Sequence, residues 1–157
     1  MREFKVSLLF FLMISLGMIA SCSKGGSDTP EELSKPAPEQ VYDWSQLSEN
    51  AQEALDDEFY STSQHYYLQD NNGHQGFNYW WNAHALDVKV DAYLRTKDQR
   101  YLAQMKQLLK GCYVKNGNTY RNTFYDDMKW WAIACLRAYD ASGDVEYKSV
   151  AEQLWGW

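Results

Sequence analysis

Two adjacent aspartates, Asp126 and Asp127, sit in the stretch RNTFYDDMKWW (residues 121–131), which is otherwise crowded with aromatic rings. Each carboxylate raises the cost of ionising the other, and the rings offer neither of them a counter-charge. Such a pair suits chemistry that needs one carboxyl charged and its neighbour protonated, because the ionised member makes the second hold its proton more tightly. Glycoside hydrolysis with retention has that requirement: one carboxylate acts as nucleophile and the other as acid and then base, with the two groups roughly 5–5.5 Å apart. Consecutive residues in mid-helix point about 100° apart, so convergence on one substrate requires the pair to stand at a helix start. A structural alternative fits the same residues. Thr123 precedes Asp126 by the spacing of a capping box, and acids in a first turn are favoured by the helix dipole. Asp127 is then a solvated surface residue.

The rings have a use beside such a pair, since the apolar faces of sugars stack on aromatic side chains while amide and imidazole groups take the hydroxyls. Trp80, Trp81, Trp130 and Trp131 are placed for this, with core packing as the alternative for at least half of them. His84, one turn after Trp80, reads either as a sugar contact or as a hydrogen-bonded core histidine. Asn122 and Tyr125 flank the acids and complete the set of candidate sugar contacts.

Helices must position these groups. From Trp44 onward the pattern has helical period, no alternating β-branched run, and no proline. The spacing predicts a first helix over 45–69, broken by DNNGHQG (70–76), a second over 78–95 and a third over 99–113. A fourth spans 124–141, and a fifth begins near Val145 after ASGD. No sheet is expected. The second and third helices echo the fourth and fifth: a shift of 46 sets Ala92-Tyr93 on Ala138-Tyr139, Asp98 on Asp144, Tyr101 on Tyr147 and Gln107-Leu108 on Gln153-Leu154. A repeated helical hairpin explains this. The second and fourth helices then run parallel, and Trp80 and Trp81 fall opposite Asp126 and Asp127. Rings and acids share a rim.

The chain begins differently. Arg2 and Lys5 precede an apolar run from Val6 to Ala20 and small residues before Cys22, the pattern of a secretory signal over 1–21. IASC also matches a bacterial lipobox, which makes Cys22 a lipidation site; an ordinary signal with a leftover cysteine is the alternative. Residues 22–40, rich in Ser, Gly, Pro and charge, read as a tether. The remaining cysteines, Cys112 and Cys135, lie in apolar helical patterns and are expected as buried free thiols, a disulfide being the alternative. His65, His74 and His84 stand apart, with no zinc spacing and no metal site implied. A net charge of -6 argues against nucleic acid as a partner.

FYDDMKWWAIACLRAYDASGDVEY, the upstream GFNYWWNAHALDVKVDAYLRTKDQRY and the lipoprotein start together resemble glycoside hydrolase family 76, the endo-acting α-1,6-mannanases, in its Bacteroidetes lipoprotein form. The resemblance spans 41–157 and implies an all-α (α/α)6 toroid that hydrolyses the α-1,6-mannan backbone with retention and without a cofactor. It assigns Asp126 as nucleophile and Asp127 as acid and base. It also implies export and anchoring to outer-membrane lipid through Cys22. A toroid of six hairpins needs twelve helices and this sequence offers about five, so it is expected to be the N-terminal part of a longer enzyme, weakly active or inactive alone and prone to self-association through apolar faces. A non-catalytic surface lipoprotein that binds glycan by its aromatic rim, another (α/α) toroid glycosidase and a helical scaffold for protein partners are the rival readings.

Overall fold

Four of the five helices seen among the described residues begin where a short polar side chain meets a free amide. The structure, a computed structural model, describes residues 40–74 and 76–156; the expected signal segment, the expected lipidation site Cys22 and the expected tether up to residue 39 lie outside them. Asp43 accepts from the Gln46 amide at the start of α1 (Trp44–Phe59), and Asn78 from that of Trp81 at the start of α2 (Tyr79–Thr96). Asp98 and Asp144 do the same for α3 (Gln99–Lys115) and α5 (Val145–Trp155). The exception is α4 (Tyr125–Ser142), whose N-cap is Phe124 and which has no side-chain cap bond. Its other end conforms: Gly143 takes the left-handed φ of 73°, as Lys97, its counterpart in the 46-residue echo, does at 58°.

Where 45–69 was expected to be one helix, α1 stops at Phe59, and the expectation of no sheet is corrected by a small antiparallel pair, β1 (Tyr60–Ser61) and β2 (Tyr66–Tyr67). The cause is tertiary. Tyr67 gives its amide to Asn82 Oδ1 at 2.8 Å and its carbonyl accepts from Asn82 Nδ2 at 3.1 Å, so α2 supplies the bonds a continued helix would have made internally. The turn between the strands carries His65 at φ 60° and rests on α3 at Gly111. A Cβ at Gly111 would stand 2.2 Å from the His65 carbonyl oxygen and 2.6 Å from that of Gln64.

Helices α2 and α4 lie side by side and parallel. Trp131 of α4 bonds the Tyr79 carbonyl of α2, and one turn and more further along both helices Arg137 reaches Asp87 at 2.8 Å and Asp91 at 2.5 Å. Their return helices, α3 and α5, close a core in which Leu86, Met105, Leu109, Trp131, Ala134 and Leu154 are buried. Cys112 and Cys135 are buried free thiols within it, as expected, and burial raises both.

Two polar arrangements hold the hairpins to their neighbours. Lys89 of α2 is 1 % exposed and donates to both Asp56 oxygens of α1 (2.9 and 2.8 Å) and to Gln104 of α3 (3.0 Å), within cation–π range of Tyr60, Tyr67 and Tyr101. A buried ammonium costs little only when paired and donating in this way, and burial lowers its pKa. Between the outer helices the charges are partly exposed and alternate in sign. Glu49 of α1 accepts from Arg95, Arg100 and Tyr101, whereas Lys106 of α3 binds Asp144 at 2.5 Å and Glu146 at 2.6 Å on α5. Tyr147 occupies on α5 the place that Tyr101 holds on α3, and its buried hydroxyl has no hydrogen-bond partner.

A matched pair of substitutions tests this packing by thermal unfolding. Gly111→Ala is expected to lower stability by about 1–3 kcal/mol or more, because backbone stands where the methyl must go. Tyr147→Phe removes a buried hydroxyl whose desolvation nothing offsets, so its Tm should equal or exceed that of the unaltered chain.

Candidate active site

The segment between α3 and α4 is built by side chains that bind backbone. Asn116, at the end of α3, donates through Nδ2 to the carbonyls of Thr119 (2.8 Å) and Arg121 (2.9 Å), and Thr119 Oγ1 accepts from the Arg121 amide at 3.1 Å. From α2, the Tyr79 hydroxyl donates to the Tyr120 carbonyl, and the buried Trp131 indole returns from α4 to the Tyr79 carbonyl at 2.8 Å. The start of α2, the approach to α4 and the body of α4 are thereby locked to each other.

Asn122 finishes the turn. Its Oδ1 accepts from the Phe124 amide at 3.3 Å and from the Thr123 hydroxyl at 3.2 Å, while its Nδ2 donates to Asp127 Oδ2 at 3.2 Å. The capping box suggested by Thr123 and Asp126 is not formed: α4 starts one residue later, with Phe124 at the cap and Thr123 ahead of it. The two aspartates sit in the first turn of α4, where the helix dipole favours negative charge. Asp126 is exposed and Asp127 half-buried. Burial, and after it the charge of Asp126, holds the Asp127 carboxyl above the usual carboxylate range. The pair is thus electrically unequal.

The rings assemble beside it. Trp130 follows Asp126 by four residues and Ile133 follows by three more, so all three lie on one exposed stripe of α4. His84 of α2 packs on Trp130 with ring centroids 4.8 Å apart and edge-on to Trp80 at 5.4 Å, which brings Trp80, His84 and Trp130 into one ladder across both helices. Trp80 and Trp130 are 39 % and 44 % exposed, so each keeps a face open, whereas Trp131 is core. His84 belongs to the ladder rather than to the interior. Trp81 lines a groove of about 310 Å³ with Leu55, Phe59, Leu68, His84 and Val88. Tyr125, at the first position of α4, is exposed and outside the ladder. A cavity of about 480 Å³ between His65 and Lys115 contains neither aspartate.

The sequence put Asp126, Asp127, Asn122, Trp80, His84 and Trp130 on one rim, but gave no sign of Asn116 or Tyr120, which with Tyr79 hold the loop. Asn116 and Tyr120 lie in a stretch without helical period, and what identifies them is the backbone they bind.

Parallel helical hairpins with acids and rings on one rim match part of an all-α toroid of paired helices, and the described residues contribute five helices to it. The chain is similar to the GH76A α-1,6-mannanase of Salegentibacter sp. HEL1_6 (50% identity, TM-score 0.70), over 73% of this chain and 33% of that one. Over that stretch it has the fold of glycoside hydrolase family 76. An inactive variant of the same mannanase with two consecutive aspartates changed to alanine, in complex with α-1,6-mannotetrose, matches at 48% identity and a TM-score of 0.71, over 73% and 34%. The Lin0763 protein of Listeria innocua matches at 35% identity and 0.62, over 72% and 34%. The chain thus spans about a third of the length of these proteins. Neither a family profile nor a curated protein matches it.

A carboxyl whose pKa is raised on folding opposes folding when ionised, and that opposition vanishes once pH falls below its unfolded pKa. Asp127→Asn should therefore raise the Tm at neutral pH, and the gain should shrink to nothing as pH falls through the carboxylate range, read by paired melts at pH 7 and pH 3.

Proposed function

We propose that this chain carries the catalytic carboxylates of a retaining endo-α-1,6-mannanase. The observation that carries the reading is the unequal acid pair, Asp127 held protonation-prone beside an exposed Asp126, on the rim that also bears the Trp80–His84–Trp130 ladder. Its support from relatives is that the half-identical mannanase has inactive variants in which two consecutive aspartates are replaced, one of them in complex with α-1,6-mannotriose.

In this reading the Asp126 carboxylate attacks the anomeric carbon of a mannosyl unit while Asp127 gives its proton to the departing glycosidic oxygen. The bond to that oxygen breaks and an ester to Asp126 forms. Asp127, now ionised, takes a proton from water, whose oxygen attacks the anomeric carbon, frees Asp126 and restores the original configuration. Trp80 and Trp130 offer stacking faces to the sugar, and His84 and Tyr125 offer polar groups. No step calls for a metal. Because the chain spans a third of its relatives, the remainder of such an enzyme would complete the cleft, and the 157 residues alone are expected to turn over slowly or not at all. The start of the sequence supports export and anchoring to outer-membrane lipid through Cys22, where a diacylglycerol mass increment on the exported protein is the expected result.

The test is release of mannooligosaccharides from α-1,6-mannan by the complete reading frame. Asp126→Asn and Asp127→Asn should each lower the rate by about 100-fold or more while mannan is still bound. Binding without release, unaffected by either substitution, would make the protein a glycan-binding lipoprotein instead.

A further inference from the structure

Asn122 lies by sequence beside the acids, and its contacts assign it a task narrower than sugar contact. The Phe124 amide can only donate, so the atom of Asn122 facing it is the oxygen, and the Thr123 hydroxyl donates to that same oxygen. The amide nitrogen is thereby committed to Asp127 Oδ2. The side chain cannot turn over without setting its NH2 against the Phe124 N–H. Behind it, Asn116 holds Thr119 and Arg121 by their carbonyls, and Tyr79 holds Tyr120, so the residue carrying this amide is itself fixed from α3 and α2.

We propose that Asn122 is a positioning residue for Asp127: by occupying Oδ2 with an N–H donor it leaves Oδ1 as the oxygen that carries and delivers the proton. This deepens the hydrolase reading and rests on it for its catalytic consequence, though not for the contact itself. An N–H donor also favours the ionised carboxyl, so Asn122 opposes the burial and the Asp126 charge that push the other way. Asp126 acts on Asp127 from its own helix, and from α2 the Tyr79 phenol, pushed up chiefly by burial and in smaller part by the Asp127 charge, stays neutral throughout the carboxylate range. Removing the amide leaves Asp127 harder to ionise and free to hold its proton on either oxygen.

Asn122→Ser separates this role from the turn. A serine hydroxyl still accepts from an amide two residues on, but it cannot also reach Asp127. In the complete reading frame, the Asp127 carboxyl is followed by carbon NMR titration and assigned by its absence in Asp127→Asn. It should titrate at higher pH in Asn122→Ser than in the parent, with a Tm unchanged at pH 3 and lowered at pH 7 by the added cost of ionising Asp127. The rate on an α-1,6-mannotetraose, whose leaving group needs the proton, should fall about tenfold or more. The rate on an aryl mannobioside with an acidic phenol, which does not need it, should change little. An unmoved Asp127 titration in both Asn122→Ser and Asn122→Ala overturns the proposal, as does an equal fall on both substrates. Mannan turnover that survives Asp127→Asn overturns the hydrolase reading instead, and the titration then still decides whether Asn122 governs Asp127.

Discussion

The indole of Trp131 is the tie on which the candidate site depends. Its N–H meets the Tyr79 carbonyl at 2.8 Å, its ring lies 5.7 Å from that of Tyr79, and it is 1 % exposed. A buried carbonyl in the first turn of a helix has its ordinary partner four residues later, and a second donor arriving from another helix fixes translation as well as rotation. Tyr79 passes the constraint on through its hydroxyl to Tyr120. Three segments that meet only in the folded chain thus share one reference point, and the acid pair stands one turn before the tryptophan that sets it.

Much of the architecture was legible because hairpins repeat their own signals. Asp98 and Asp144 both open return helices, Tyr101 and Tyr147 are both buried, and Lys97 and Gly143 both end the preceding helix in the left-handed conformation. The misread segment is the one whose partners are distant. Residues 60–69 keep enough helical spacing to pass as more of α1, yet their backbone is satisfied by Asn82, fifteen residues beyond Tyr67, and their turn fits only because position 111 lacks a side chain. Two-residue strands are too short to show a period of two.

The site divides along the same line. Residue type announced Asp126, Asp127 and the tryptophans, and the helical repeat put them on one rim. The capping reading went wrong for a local reason: a threonine three residues before an acid has the right spacing, but the helix begins one residue later, with Phe124 at the cap. The inequality of the two acids was expected from their adjacency alone. In the structure the larger cause is the burial of Asp127, with the neighbouring charge second. Position in the turn, more than mutual repulsion, sets Asp127 apart.

The alternation of charge between the outer helices has a consequence for how such a chain finds its order. Hairpins that echo one another invite the wrong neighbour to dock, since their apolar faces are interchangeable. Here α1 presents the acid Glu49 to bases on α2 and α3, and α3 presents the base Lys106 to acids on α5. If α5 settled against α1 by mistake, Asp144 and Glu146 would face Glu49, and like charges in contact are repelled rather than held. Ion pairs this close to solvent add little to the stability of the finished fold, so what they contribute is discrimination among outer neighbours, α3 for α1 and α5 for α3.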